Sequence, residues 1–340
     1  MRRRTRRTPR ILILTILAGF SLLAAACSEA QEAAFQSNLA QRGASDERAS
    51  TSDEPPPDSD PACSESDPRR SLAAVDPRPG PTELPAGSHM ATIRDRGVLR
   101  AGVGVDTLLF GYLDLRTGGI DGFDVEMARL VATAIFGDLD QDGDGTEERL
   151  ELVPVKSSER IDRLQDGSVD LVVKTMTINC ERWASINFST VYYESGQRLL
   201  VGGDSGVRSV EDLDTEPICA VEGTTSLANL NEAGLATVVA STWTGCLVEF
   251  QQGTAFGIST DDAILAGLAA QDAGALVVGN TFSDEPYGIG LPKEHPEFTA
   301  FVNAVLEQAR QDGTWTLLYD RWLEDVLGAN ATPPQATYRS

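Results

Sequence analysis

Four stretches of this chain carry side chains suited to chemistry. The first is Lys174–Phe188, KTMTINCERWASINF. Thr175 and Thr177 bring hydroxyl and backbone donors, and Arg182 follows them closely. A guanidinium can fork onto a carboxylate through two parallel hydrogen bonds. Lys174 adds a second cation, able to meet a side-chain carboxylate. An arginine here can equally lie on an exposed helix surface. The second stretch, Gly223-Thr224-Thr225-Ser226, opens a helix. Its free N–H groups and the helix dipole can hold an anion, although Thr and Ser are also ordinary N-caps. In the third, Thr260-Asp261-Asp262, a carboxylate can accept from an ammonium group or simply cap the next helix. The fourth, Asp140 to Glu151, fits D-x-D-x-D-G-x5-E, a calcium-wrapping loop. Asp140, Asp142, Asp144 and Glu148 would bind through side chains, Thr146 through its carbonyl and Glu151 through both oxygens. The alternative is an acidic surface hairpin without metal.

The surrounding pattern says what must position these groups. Ser168–Val173, SVDLVV, reads as a buried parallel strand. It places Thr175 and Thr177 at a strand's C-terminal end, where open α/β sheets bind ligands. Val98–Val105 and Leu150–Val155 read as its neighbours, and Val125–Phe136 as an amphipathic helix opened by Gly122-Phe123-Asp124. The loop from Asp106 carries Phe110 and Tyr112, which we expect to be exposed at its end. Beyond Val201 the logic repeats: Pro217–Val221 precedes the Gly-Thr-Thr-Ser turn, and Ala255–Ser259 precedes Asp261.

Composition bounds the reading. A chain of 340 residues with net charge −23 has material for two lobes and an acidic surface that argues against nucleic acid. Six arginines within the first ten residues precede an apolar run, Ile11–Ala26, too short for a comfortable span. The run ends Leu23-Ala24-Ala25-Ala26-Cys27, which resembles a bacterial lipobox with its Leu one place early. We therefore expect a signal peptide over 1–26, lipidation at Cys27, and a Ser/Asp/Pro-rich disordered linker over 27–90. The protein would sit on the outer face of the cell membrane. The last stretch, 328–340, lacks an apolar pattern and reads as a loose tail.

The pieces GFDVEMARLVA, DLVVKTMTINCER, GTTS, STDDAIL, YGIGL and DGTWTLLYDRWL, in this order, resemble the polar-amino-acid-binding lipoproteins of ABC importers, and among them actinobacterial glutamine/glutamate-binding proteins. The resemblance covers roughly 91–327. It implies a two-lobed periplasmic-binding-protein-like fold of type II, each lobe a mixed, mostly parallel α/β sheet flanked by helices and joined by two crossover strands. Lobe 1 would span 91–198 plus 288–327, and lobe 2 199–287. It also implies that Arg182 grips an α-carboxylate, that Thr175, Thr177, Thr224 and Thr225 contact the ligand, and that Asp261 accepts the α-ammonium. Phe110 and Tyr112 would form an aromatic wall. Lys174 favours glutamate or aspartate, then glutamine or asparagine.

Besides Cys27, the chain has Cys63, Cys180, Cys219 and Cys246, which allow three pairings. An exported chain favours bridges. Cys219 and Cys246 fall in one lobe and form the short pairing, leaving Cys63 with Cys180. No cofactor is expected beyond a structural Ca²⁺. The expected partners are an L-amino acid and an ABC permease, with a monomeric receptor. A sensor touching a membrane signalling protein is the alternative, and an enzyme on the same fold is a distant one.

Overall fold

The apolar runs read as strands assemble into two separate mixed sheets in a computed structural model that describes residues 63, 67–140 and 147–339. Cys27, the expected signal peptide and most of the linker lie outside the described residues, as do Asp142, Asp144 and Thr146.

The chain enters the first lobe through α1 (His89–Arg96), capped by Ser88 and stopped by Gly97 in the left-handed region. β1 (Leu99–Val103) leads into a ribbon of β2 (Asp106–Thr107), β3 (Gly111–Leu113) and β4 (Ile120–Asp121), then α2 (Phe123–Phe136). β5 (Leu150–Pro154), α3 (Arg160–Gln165), β6 (Leu171–Val173), α4 (Cys180–Ser185) and β7 (Asn187–Phe188) follow. The long β8 (Tyr193–Gly202) crosses to the second lobe. That lobe comprises β9 (Ile218–Val221), α5 (Thr225–Glu232), β10 (Thr237–Ala240), α6 (Trp243–Gln251), β11 (Gly257–Asp261), α7 (Asp262–Ala269) and β12 (Ala275–Val278). β13 (Asp284–Tyr287) returns beside β8, and β14 (Gly290–Leu291) rejoins the first sheet. Helices α8 (Pro296–Gln311), α9 (Thr314–Trp322) and α10 (Glu324–Leu327) close the chain.

The first sheet runs β5-β1-β6-β14-β7, with β1 parallel to β5 and β6 and β14 antiparallel to its neighbours. The second runs β10-β9-β11-β8-β12, with β9, β10 and β11 parallel and β8 antiparallel. β8 spends Tyr193–Gly196 on β13 and Gln197 onward on β11. The pair β8/β13 is therefore the double crossover. β6 is buried at all three positions and β9 at all four, as strands covered on both faces must be. One apolar core surrounds Phe123, Val131, Phe298 and Trp315; another surrounds Leu200, Trp243, Ile258 and Leu265.

Three expectations change. The linker was drawn to residue 90, yet Leu84 is in the core and Ser71 is fully buried, donating to Phe188 O at 2.6 Å. The tail over 328–340 was read as loose. Instead Tyr338 pairs in parallel with Ser71, and the Arg339 guanidinium lies 3.8 Å over the Trp183 ring. Neither segment has an apolar period, because backbone pairing and single contacts hold both; pattern alone misses such anchoring. Finally, Phe110 is fully buried among Phe123, Tyr193 and Tyr287, rather than standing at a loop tip.

Both expected bridges form: Cys63–Cys180 with Cα atoms 5.6 Å apart, and Cys219–Cys246 at 5.5 Å. The first ties the entering segment to α4, the helix that carries Arg182.

Candidate functional site

The C-terminal ends of β5, β6, β9 and β11 meet at a cleft lined from both lobes and closed down to a cavity of about 10 Å³, room for about one water. That is far below the volume of a ligand pocket, so a solute can enter only when the lobes part. The local sequence explains the convergence. β6 stops where Thr175 takes φ of 38°, a left-handed conformation rare for a β-branched residue. Asp124, in the first turn of α2, fixes this turn: its Oδ2 accepts from Thr175 N at 2.9 Å and its Oδ1 from Tyr192 Oη at 2.6 Å. Burial pushes the Asp124 carboxyl up to about 6, against the pull of these two donors. After the turn, Asn179 caps α4 by accepting from Arg182 N at 2.9 Å.

Arg182 is buried. Its guanidinium donates to Thr177 O at 2.6 Å and, across the cleft, to Gly223 O at 3.3 Å. Beside it stands a residue sequence reading missed. Arg160, 3% exposed, donates to Ser157 O, Lys174 O and, also across the cleft, Gly223 O at 3.0 Å. Burial and then the charge of Arg182 push the Arg160 guanidinium down to about 9. The available signal was topological: Arg160 opens the helix that follows β5, so it sits at another strand's C-terminal end.

The second lobe answers with acid. Asp261 is 3% exposed; Oδ2 accepts from Tyr287 Oη at 2.7 Å, while Oδ1 is buried without a partner. A buried carboxylate oxygen without a donor is costly. Burial first, then the neighbouring Glu285, push this carboxyl up to about 8, against the Tyr287 hydrogen bond. The cavity therefore sets two arginines from one lobe against an incompletely satisfied acid from the other.

The remaining expected residues divide. Thr177 and Thr225 come together across the cleft, their hydroxyl oxygens 3.3 Å apart. Thr224 lines the cavity, but its hydroxyl caps α5, accepting from Leu227 N and donating to Val221 O. Lys174 is buried against Asp106, Nζ to Oδ1 at 3.5 Å, and Asp106 Oδ2 accepts from Trp243 N of the second lobe at 2.7 Å. Burial pulls the Lys174 ammonium below its ordinary range despite Asp106. Tyr112 lies in the ribbon with its ring 6.3 Å from that of Trp322, and neither it nor Phe110 lines the cavity. Of the acidic loop, Glu151 lies on β5, 3.5 Å from the Arg100 guanidinium, and the adjacent Glu147 accepts from Arg129 at 2.5 Å. Among the described residues no cluster of three or more His, Cys, Asp or Glu could hold a metal.

Comparison with known proteins accords with this geometry. Residues 99–325 match the model of the bacterial extracellular solute-binding proteins, family 3. The chain belongs to that family. Its structural neighbours carry the type II periplasmic-binding-protein fold. The ABC transporter glutamine-binding protein GlnH of Bacillus subtilis strain 168 is 36% identical over 239 residues, 69% of this chain and 85% of that protein. The glutamate-binding protein GluB of Corynebacterium glutamicum is 33% identical over 222 residues, 62% of this chain and 72% of that one. Among solved structures, an ancestral arginine-binding protein bound to glutamine superimposes with a TM-score of 0.61 at 31% identity, covering 67% of this chain and 98% of that one. Among the described residues no helix is long and apolar enough to cross a membrane.

Proposed function

We propose that this protein is an extracytoplasmic receptor that closes on a polar L-α-amino acid and delivers it to an ABC permease. One observation carries the reading: Arg182 and the partnerless Asp261 Oδ1 face the same small cavity from opposite lobes. A zwitterion answers both at once, its carboxylate to the guanidinium and its ammonium to the unpartnered carboxylate oxygen. The relatives named for glutamine and glutamate support it.

Within that class we rank glutamine and asparagine above glutamate and aspartate, reversing the order that Lys174 suggested. The Lys174 charge is already countered by Asp106. Arg160 and Arg182 are likewise matched in number by Asp261 and Glu285. A neutral side chain adds no uncompensated buried charge. Calorimetry on ligand-stripped protein with glutamine, asparagine, glutamate, aspartate, arginine and leucine tests this. Tightest binding of leucine would overturn the class; tightest binding of arginine or glutamate would overturn only the ranking.

The reading includes lipid anchoring at Cys27, a monomeric state and no catalysis. Mass spectrometry of the mature N-terminus, sedimentation and product assays with the bound amino acid check the three. For the loop from Asp140 to Glu151 we retain a structural Ca²⁺ on its sequence pattern. A melting temperature raised by millimolar Ca²⁺ and restored by EDTA is the expected result.

A further inference from the structure

Glu285 is a buried carboxylate that does not line the amino-acid cavity. It is 2% exposed and lies on β13, one of the two crossover strands. Its Oε2 accepts from Thr177 Oγ1 of the first lobe and from Thr225 Oγ1 of the second, each at 2.7 Å. Its Oε1 accepts from Ser283 Oγ at 2.6 Å and Asn229 Nδ2 at 3.3 Å. Thr177 is also tied to the crossover by an antiparallel bridge to Tyr287, and Ile178 N donates to Pro286 O at 2.8 Å. A single carboxylate oxygen thus joins both lobes from the strand that must twist when they part.

Proton counting gives this arrangement a direction. A threonine hydroxyl has one proton and two lone pairs. Thr177 and Thr225 both spend that proton on Glu285, a charge-assisted bond of the stronger kind. Facing the cavity, their oxygens are left as acceptors, not as the donors to a carboxylate that the sequence suggested.

We propose that Glu285 is a positioning residue for closure, a built-in anion that fastens Thr177 to Thr225 across the cleft before any ligand arrives. The lobes accordingly populate the closed arrangement without ligand. The latch itself is independent of the ligand's identity and does not rest on the amino-acid reading above.

The test uses the full chain, stripped of ligand and carrying a donor and an acceptor dye at two exposed positions, Leu115 of the first lobe and Val239 of the second. Single-molecule energy transfer gives the ratio of closed to open molecules. Glu285→Gln keeps the size but loses an acceptor, and should lower the ligand-free ratio at least about fivefold. Thr225→Val removes one donor from the opposite lobe, leaves the crossover intact and should lower the ratio in the same direction; it also carries the test should the first variant fail to fold. An unchanged ratio in Thr225→Val and in folded Glu285→Gln would overturn the proposal. So would a native protein that stays fully open without ligand. Because the ratio is read with no amino acid present, failure of every amino acid to close the lobes would count against the proposed function and not against the latch.

Discussion

The two faces of the cleft are finished to different degrees. On the first lobe, the cations are held by backbone carbonyls: Arg182 by Thr177 O, Arg160 by Ser157 O and Lys174 O. Their positions are set before a ligand enters. On the second lobe, Asp261 ends β11 with one oxygen satisfied and the other buried without a donor. One face is a preformed anion cradle; the other is an acid whose stabilisation is completed from outside. Such an asymmetry favours a ligand that brings its own positive charge to the second lobe.

The sharpest way to break this comparison is to remove each side in turn. Arg182→Ala and Asp261→Asn should each weaken amino-acid binding by more than about tenfold, since a charge-assisted contact is worth roughly 1.5–3 kcal/mol. They should differ in the ligand-free protein. Loss of Arg182 leaves the buried Thr177 carbonyl short of a donor, so the melting temperature should fall. Asn at 261 can still accept from Tyr287 and removes a buried acid, so the melting temperature should hold or rise. Equal destabilisation by both would dissolve the asymmetry. Calorimetry and thermal melts of the two variants decide it.

Closure itself comes next. Gly223 has φ of 72°, and a Cβ built there would sit 2.6 Å from Ser158 Cα in the opposite lobe. Gly223→Ala should therefore obstruct closure and cost about tenfold or more in affinity. The strained φ adds roughly 1–3 kcal/mol of destabilisation. Scattering that still showed full closure with bound amino acid would contradict the packing argument.

The acid of the second lobe also sets a pH dependence. With its carboxyl raised to about 8, Asp261 is largely protonated at pH 7 and gives up that proton when it accepts from an ammonium group. Binding therefore releases a proton, and affinity should rise as pH increases from 6 to 8, by up to about tenfold per unit. The slope should persist in Arg182→Lys and disappear in Asp261→Asn. A flat profile in the native protein would mean that Asp261 is ionised before binding.

How far the sequence reached follows the same division. The strand ends carrying Thr175, Thr177 and Asp261 were legible because a short apolar run followed by polar residues marks a buried strand's exit into a crevice. The Gly-Thr-Thr-Ser turn was found the same way, whereas Arg182 was named for its closeness in sequence to Thr177 and for the family resemblance. Arg160 and Glu285 were missed. Neither follows an unbroken apolar run, and each becomes significant only through residues distant in the chain: Gly223 for one, Thr177 and Thr225 for the other. Phe110 was misplaced because an aromatic in a short loop looks the same whether it points to solvent or into a core. Lys174 was placed correctly at the strand's end, but its charge could not be assigned without Asp106.

The smallest expected effect concerns the first lobe's preformed turn. Thr175 holds φ of 38° although it is β-branched, and Asp124 clamps its N–H. The left-handed region costs a non-glycine residue about 1–2 kcal/mol. Glycine avoids that penalty but loses more backbone entropy on folding, by roughly 0.5–1 kcal/mol. Thr175→Gly should therefore change stability by less than about 1 kcal/mol, toward greater stability, because the two terms nearly cancel. The same change removes a hydroxyl from the cavity wall, and a neutral hydrogen bond is worth about 0.5–1.5 kcal/mol. Affinity should fall only a few-fold, while the Asp124 clamp, which acts on the backbone N–H, survives. A large loss of stability in Thr175→Gly would mean that the threonine side chain, and not Asp124, holds the turn that aims Thr177 and Arg182 into the cleft.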